Sequence, residues 1–287
     1  MIPNNFEYVR AGSVQEAVSL LSQHGEDAKL LAGGHSLIPA MKFRLSAPST
    51  LIDVSGISEL SGIKKNGDHL EIGAFVTHRT VEFSDEVKNS CGVLAEAASQ
   101  IGDPLVRNRG TLGGSLAHAD PAADYPALVL ALAAEIHVSG KSGSRSIAAD
   151  DFFTGLFETA LSDGEIITKV SFPVLDKGVG AAYEKFPHPA SRFAVVGVAV
   201  MLTIAGGKCS AARVAVTGAA ATAFRATDVE TALTGNSPDE STISDATAKV
   251  ADSNDLLSDL FASANYRAHL CSVLAKRALL RAAERAR

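Results

Sequence analysis

LAGGHSLIPAMKFRLS, from Leu31 to Ser46, and GTLGGS, from Gly110 to Ser115, are the two stretches on which the reading of this chain turns. Each sets a glycine pair among small and polar residues. Either one alone reads as a turn, because glycine supplies backbone freedom wherever a chain reverses. What surrounds them makes the difference. Before the first, FEYVR (Phe6 to Arg10) alternates like a strand and SVQEAVSLLSQHG follows. Ser13 and Glu16 have capping-box spacing, and Ala17, Val18, Leu20 and Leu21 supply an apolar helix face. Gly25 ends that helix, and AKLLAG is the next strand. A short helix begins near Leu37, with Ser36 as its N-cap and Pro39 in the tolerated first turn, and STLIDVS supplies a third strand. Strand, helix, strand, helix, strand with short connections predicts a small parallel sheet with right-handed crossovers. Gly33 and Gly34 then lie at the carboxyl end of its middle strand. Open parallel sheets bind ligands there, with backbone N–H groups aimed outward. The spacing matches neither a Rossmann G-x-G-x-x-G nor a Walker lysine loop.

Around the second stretch, HLEIGAFVTH (His69 to His78) reads as a strand and CGVLAEAASQI as a helix. GDPLVRNRGTLGGSLAHADPAADYPALVLALAAEIHVSG follows, and its first half reads as a loop of about twenty residues, longer than a compact domain carries without a functional reason. Asp120 and Pro121 form an N-cap and N1 pair for a helix from about Ala122 to Ala134. Arg107 and Arg109 bring positive charge beside the glycines. Two N–H-rich loops with Arg and Thr/Ser side chains suit a diphosphate carrying a large organic body.

Composition bounds the rest. A chain of 287 residues, 46% hydrophobic and 20% charged, can bury a sizeable core and most naturally forms two domains, or one with a distinct tail section. A net charge of −6 argues against nucleic acid as a partner. The N-terminus has no charged region followed by an apolar one, and no apolar run is long enough to span a bilayer. The expectation is a soluble, cytoplasmic chain. Cys91, Cys209 and Cys271 are far apart and the eight histidines are scattered, so no local metal site is proposed.

Later in the chain GEIITKVSFPV is a strand, a boundary falls near Leu175 to Gly180, and AVVGVAVMLTIAGGKCSAARVAVTGAA gives strands joined by a hairpin at Gly206 and Gly207. Helices dominate to the end. The last has an apolar face through Leu270, Val273, Leu274 and Ala278. Its basic remainder reads as a solvated face or as a contact for an acidic partner. The expected fold is α+β. Residues 1–177 form a two-part domain, with a small parallel βαβαβ unit at 1–57 and a mixed or antiparallel sheet with helices at 58–177, and a smaller α+β domain follows at 178–287.

LAGGHSLIPAMKFRLSAPSTLIDVS and IGDPLVRNRGTLGGSLAHADPAADYPA, taken together, closely resemble the two flavin-binding signatures of the medium subunit of molybdenum-containing hydroxylases. This family includes the medium chain of aerobic carbon monoxide dehydrogenase and the flavin domain of xanthine dehydrogenase. The similarity extends to YEKFPHPASRFAVVGVAV and ANYRAHLCSVLAKRAL. The resemblance implies non-covalent FAD held by Ala32, Gly33, Gly34, His35, Ser36 and Leu37 of the first loop and by Thr111, Leu112, Gly113, Gly114 and Ser115 of the second. Together these loops would hold the pyrophosphate and ribityl chain. Ser115 stands where many relatives carry asparagine, and serine still donates and accepts. Lys29 takes the place of a basic residue found before the first loop. Asp124 is implied as a partner of the sugar or adenine portion, or is a solvated helix-start carboxylate. Lys185 would bring positive charge near the flavin, and Ile101 would pack on the ring. Phe193 falls where a tyrosine lies close to the ring in some relatives, or is a core aromatic.

By the same resemblance the chain is an FAD-binding electron-transfer subunit and an oxidoreductase component. Molybdopterin and [2Fe-2S] clusters are expected only on partners, a large molybdenum subunit and a small iron–sulfur subunit, in a dimer of heterotrimers that delivers electrons to an external acceptor. The complex would be carbon monoxide dehydrogenase-like or act on an N-heterocycle of the nicotine or purine type. The competing readings are a self-sufficient flavin oxidase or reductase and a non-redox nucleotide-binding assembly module.

Overall fold

A computed structural model describes residues 2–252 and 254–287. The chain opens with β1 (Glu7–Arg10), α1 (Val14–His24), β2 (Ala28–Leu31), α2 (Leu37–Lys42) and β3 (Thr50–Asp53). All three strands are parallel, in the order β1-β3-β2. The strand carrying the first glycine pair, expected in the middle of the sheet, is instead at its edge, because β3 pairs with both β1 and β2. Ser13 caps α1 by accepting the Glu16 N–H, as its spacing predicts. Ser36 does not cap α2: its backbone is already helical (φ −105°, ψ −48°) and its side chain makes no capping bond. One sheet face packs Ala28 and Ile52 on Ala17 and Val18 of α1. Alternation turns Leu51 to the opposite face, where it too is buried.

Next come β4 (Ile63–Asn66), β5 (His69–Gly73), α3 (His78–Phe83), α4 (Asp85–Ser99), α5 (Pro104–Arg107), α6 (Leu112–His118) and α7 (Tyr125–Ala131). They are followed by β6 (Glu135–Gly140), β7 (Gly143–Ala148), the small hairpin of β8 (Phe153–Gly155) and β9 (Glu158–Thr159), and β10 (Ile166–Pro173). The sheet runs β4-β5-β10-β6-β7 and is antiparallel throughout. β5 stops at Gly73 rather than at His78, because the backbone turns there against Leu60, whose carbonyl accepts the Phe75 N–H. Thr77 then caps α3. α4 breaks at Cys91 (φ −154°, ψ 68°), and the Leu175 N–H donates to the Ser90 carbonyl at 2.8 Å.

The chain ends with β11 (Val179–Pro187), β12 (Ala194–Ala205), β13 (Lys208–Thr217), β14 (Phe224–Arg225), α8 (Thr227–Leu233), α9 (Glu240–Thr247) and α10 (Ala264–Arg285). Gly206 (φ 58°) and Gly207 (φ 76°) close the predicted β12–β13 hairpin, where both central residues need positive φ. This sheet serves two cores. Ala181, Tyr183, Ala199 and Ala215 join the core under the five-stranded sheet, while Ala182, Val198, Val200, Val214 and Val216 join the one built with α10. Burial on both faces is why AVVGVAV runs apolar without alternation, and each such valine contributes about 1.5–3 kcal/mol. Leu270, Leu274 and Ala278 of α10 are buried and Val273 is half-buried. The basic side of α10 is largely spent within the chain, through Arg281 to Glu96 and Glu184, Arg285 to Glu96, and buried Arg267 to Asp259.

Candidate functional site: two glycine loops in contact

The carboxyl end of β2 leads directly into Ala32–Ser36. None of these five residues donates its backbone N–H to a protein acceptor among the described residues. Gly34 has φ +77°, so only glycine sits there without strain. Gly33 is required for a different reason. A Cβ on it would run into the Arg109 carbonyl oxygen and lie 2.7 Å from its carbon. The two loops touch through backbone, and nothing larger than hydrogen fits between them.

The expected long second loop is in fact two short helices, α5 and α6, with a tight turn between. Asp103 caps α5, and Thr111 caps α6 by accepting the Gly114 N–H at 3.1 Å. The other amides of the α6 first turn are taken as well. Leu112 donates to Val76 O at 3.0 Å, Gly113 to Ala74 O at 2.9 Å and Ser115 to Thr111 O at 3.0 Å. Gly113 lies so close to Ala74 that an added Cβ would be 2.5 Å from its methyl. A Cβ on Gly114 would be 2.7 Å from Thr111 Oγ1 and 4.0 Å from Ala32 Cβ, which places this turn facing the first loop.

Behind the contact sits His78, a residue that sequence reasoning did not single out. Its N–H donates to the Gly110 carbonyl at 2.9 Å, and its ring occupies the space a Gly110 side chain would need, with Nε2 2.5 Å from the position of such a Cβ. Burial pushes the His78 pKa down to about 4, helped by the nearby His35 and Arg107. Its Nδ1 is buried without a partner among the described residues, as is the hydroxyl of Tyr125, whose ring is 5.4 Å away. The only hint in the sequence was Thr77, a helix cap immediately before it.

Asp124 and Lys185 come together. Lys185 Nζ lies 2.8 Å from Asp124 Oδ1 and also donates to the Gln100 carbonyl at 3.1 Å. The Tyr183 hydroxyl donates to Asp124 Oδ1 at 2.5 Å. Asp124 is buried, so the solvated-carboxylate alternative is overturned. Burial pushes its carboxyl up, opposed by the Lys185 charge and the Tyr183 hydroxyl. Asp124, not Asp120, precedes the helix: α7 begins at Tyr125 and ends at Ala131, and Asp120 instead accepts the Ala122 N–H in a local turn. The left-handed Ala119 (φ 50°) ends α6, and the chain between it and α7 is irregular.

Arg107 does not point its charge at the glycines. It pairs with Glu82 at 2.8 Å and donates to the carbonyls of Ile101 and Gly102. Ile101, next to Gln100, is half-buried against the central core. Leu37 is half-buried at the start of α2. Lys29 is exposed on β2, and no hydrogen bond among the described residues ties it to either loop. Phe193 is 44% exposed and so is not a core aromatic.

Five consecutive unpaired amides beside a left-handed glycine, in backbone contact with a second loop that carries the Ser115 hydroxyl, fit a diphosphate-bearing cofactor. Two clefts, of about 250 Å³ beside Gly92 and Leu175 and about 240 Å³ beside Val14 and Thr168, lie away from these loops. An elongated cofactor laid across two loops needs a surface track rather than a closed cavity, so the donor pattern outweighs cavity size here. Among the described residues no three His, Cys, Asp or Glu side chains converge into a metal-ligand set, and the three cysteines are buried and unpaired.

Residues 4–175 match the FAD binding domain in molybdopterin dehydrogenase, and residues 181–282 match the CO dehydrogenase flavoprotein C-terminal domain. The chain belongs to this family of FAD-binding oxidoreductase subunits. It is 39% identical to the carbon monoxide dehydrogenase medium chain of Afipia carboxidovorans over the whole of both chains. It is 38% identical to the 6-hydroxypseudooxynicotine dehydrogenase complex subunit alpha of Paenarthrobacter nicotinovorans, covering all of this chain and 97% of that one. The solved structure of carbon monoxide dehydrogenase from Hydrogenophaga pseudoflava lacking the Mo-pyranopterin moiety superposes with a TM-score of 0.96, at 42% identity and 99% coverage of both chains. The α+β architecture expected from sequence, a flavin-binding part followed by a C-terminal part, is that of this family subunit. No helix among the described residues is long and apolar enough to cross a membrane.

Proposed function

We propose that this chain is the FAD-carrying electron-transfer subunit of a heterotrimeric molybdenum hydroxylase, assembled as a dimer of heterotrimers in the cytoplasm. It receives electrons from iron–sulfur clusters of a small partner subunit and delivers them to an external acceptor. Bound FAD supplies the ability to take electrons singly and release them singly or in pairs. The observation that carries the reading is the run of unpaired amides at Ala32–Ser36 in contact with the Gly110–Ser115 turn. In this reading the first loop holds the negatively charged diphosphate, while Thr111, Leu112, Gly113, Gly114 and Ser115 form the wall that limits where it can lie.

The Asp124–Lys185 pair organises the other end of the site by fixing the segment after α6 against the base of β11. Ile101 and Phe193 offer apolar surface for the flavin ring, and Lys29 is exposed on β2, which leads into the first loop. Residues 1–177 provide both loops, and residues 178–287 provide Lys185 and Phe193. The reaction catalysed by the whole complex is chosen by the molybdenum subunit. The names of the relatives, one a carbon monoxide dehydrogenase and one a dehydrogenase of a nicotine-derived compound, support a substrate among these chemistries.

Purification of the chain alone, followed by addition of FAD, tests the proposal. A stoichiometric flavin spectrum, no turnover of organic substrates, and flavin reduction only when a reduced iron–sulfur partner is added are the expected results. Steady substrate oxidation by the isolated chain would make it a self-sufficient oxidase. Failure to bind FAD under any condition would leave only a non-redox module.

A further inference from the structure

Gly110 is a glycine for reasons of space. Its φ is not left-handed, so its backbone would accept a side chain. A Cβ built on it, however, would lie 2.5 Å from His78 Nε2 and 2.7 Å from His78 Cδ2, well inside the roughly 3.5–4 Å of ordinary contact. The Cα of the same residue is 3.1 Å from the place that a Gly33 Cβ would take, beside the Arg109 carbonyl. The Arg109–Gly110 turn thus touches the His78 ring and the first glycine loop at once.

His78 is held on every side that can be traced. Its N–H donates to the Gly110 carbonyl, and Thr77 before it caps α3 and forms a β-bridge with Thr111. One helical turn on, Glu82 pairs with Arg107. The imidazole ring packs on the buried ring of Tyr125, the residue that follows Asp124 and so shares its tie to Lys185. His35 of the first loop and Arg107 are close enough to disfavour charge on the imidazole, which burial keeps neutral. In a close-packed interior a side chain confined in this way sets the position of whatever leans on it.

We propose that His78 is a positioning residue for the cofactor: its ring fixes the Arg109–Gly110 turn, and the turn fixes the first loop, so that Ala32–Ser36 present their N–H groups in one arrangement. The inference rests on the FAD reading given above. It goes beyond that reading by placing a determinant of cofactor affinity on α3, outside both loops.

The test is a double-mutant cycle on the full-length chain, read by flavin titration and by amide exchange. H78A empties the space beside Gly110, G110A adds a methyl while the ring is still there, and H78A/G110A exchanges one for the other. Each single variant is expected to lose about tenfold in FAD affinity, and the double variant to bind within about threefold of wild type. Exchange at the Gly110 N–H, bonded to Val106 O at 2.7 Å, and at the Leu112 N–H, bonded to Val76 O at 3.0 Å, should rise in each single variant and fall back in the double. General destabilisation gives no such recovery, because losses from independent causes add. H78N, which keeps a smaller planar polar group, takes the place of H78A in the cycle if H78A does not fold. Additive losses, about a hundredfold in the double variant, or wild-type affinity in either single variant, overturn the role of His78. Absence of FAD binding in wild type overturns the cofactor reading instead, with the exchange pattern still deciding whether His78 sets the turn.

Discussion

From Ala32 to Ser36 five successive backbone N–H groups have no protein acceptor among the described residues, whereas from Leu112 to Ser115 every N–H is already bonded to Val76, Ala74 or Thr111. The two glycine pairs look alike as letters. Gly34 serves conformation and Gly33 serves contact with the other loop, so the first loop is left with donors facing outward. Gly113 and Gly114 serve close packing of α6 on Ala74 and Thr111, so the second is a wall. Repetition of a motif is thus no guide to the task of each copy. The accounting of backbone hydrogen bonds is.

The largest effect is expected behind the wall. Lys185→Ala strands the buried Asp124 carboxyl without its cation and should cost about 3–5 kcal/mol in denaturant unfolding. Adding Asp124→Asn should recover most of it, and a loss below about 1 kcal/mol in the single variant would show that the pair is not the anchor described.

His78 gives a pH signature to the same region. Its folded pKa of about 4 lies below the ordinary histidine value of 6.5, so the unfolded chain binds more protons between these limits. Stability is then fully present above pH 6.5 and is lost as pH falls toward 4, by up to about 3 kcal/mol. His78→Gln should flatten this part of the pH profile, and an unaltered slope would remove His78 from the account.

Gly33→Ala must push the loops apart, because the added methyl meets backbone, and should weaken FAD binding about a hundredfold. Gly114→Ala meets only the Thr111 hydroxyl, which can rotate, and about tenfold is expected. Equal losses in a flavin titration would erase the proposed difference between the loops. Thr111→Val removes a single cap and should lower stability by about 1 kcal/mol while leaving the first loop untouched.

Much of this was legible in the sequence where local signals agree with the fold. The Ser13 cap, the parallel pairing of the first three strands and the Gly206–Gly207 hairpin each follow from pattern and turn chemistry, whereas the order of those strands does not. The misreadings occur where tertiary contact overrides propensity. Glycines weaken a helix signal, so α6 looked like loop, yet Thr111 and the packing on Ala74 hold it helical. Asp120–Pro121 has the composition of a helix start, but Asp120 accepts the Ala122 N–H in a local turn, and the helix starts after the buried Asp124, held by Lys185. The partners of Asp124 and the orphaned nitrogen of His78 are long-range facts that no spacing encodes. The basic side of α10 offered a choice between solvent and a partner chain. The fold uses it mostly for Glu96 and Glu184, far away in the sequence, and for the nearby Asp259.

The division of labour between the loops can be measured directly by following backbone amide resonances as FAD is added to the isotopically labelled full-length chain. The account predicts large shifts and gained exchange protection at Ala32, Gly33, Gly34, His35 and Ser36, with smaller changes at Leu112, Gly113, Gly114 and Ser115, whose amides keep their protein acceptors. Protection gained mainly at Leu112–Ser115, with Ala32–Ser36 unchanged, would contradict it.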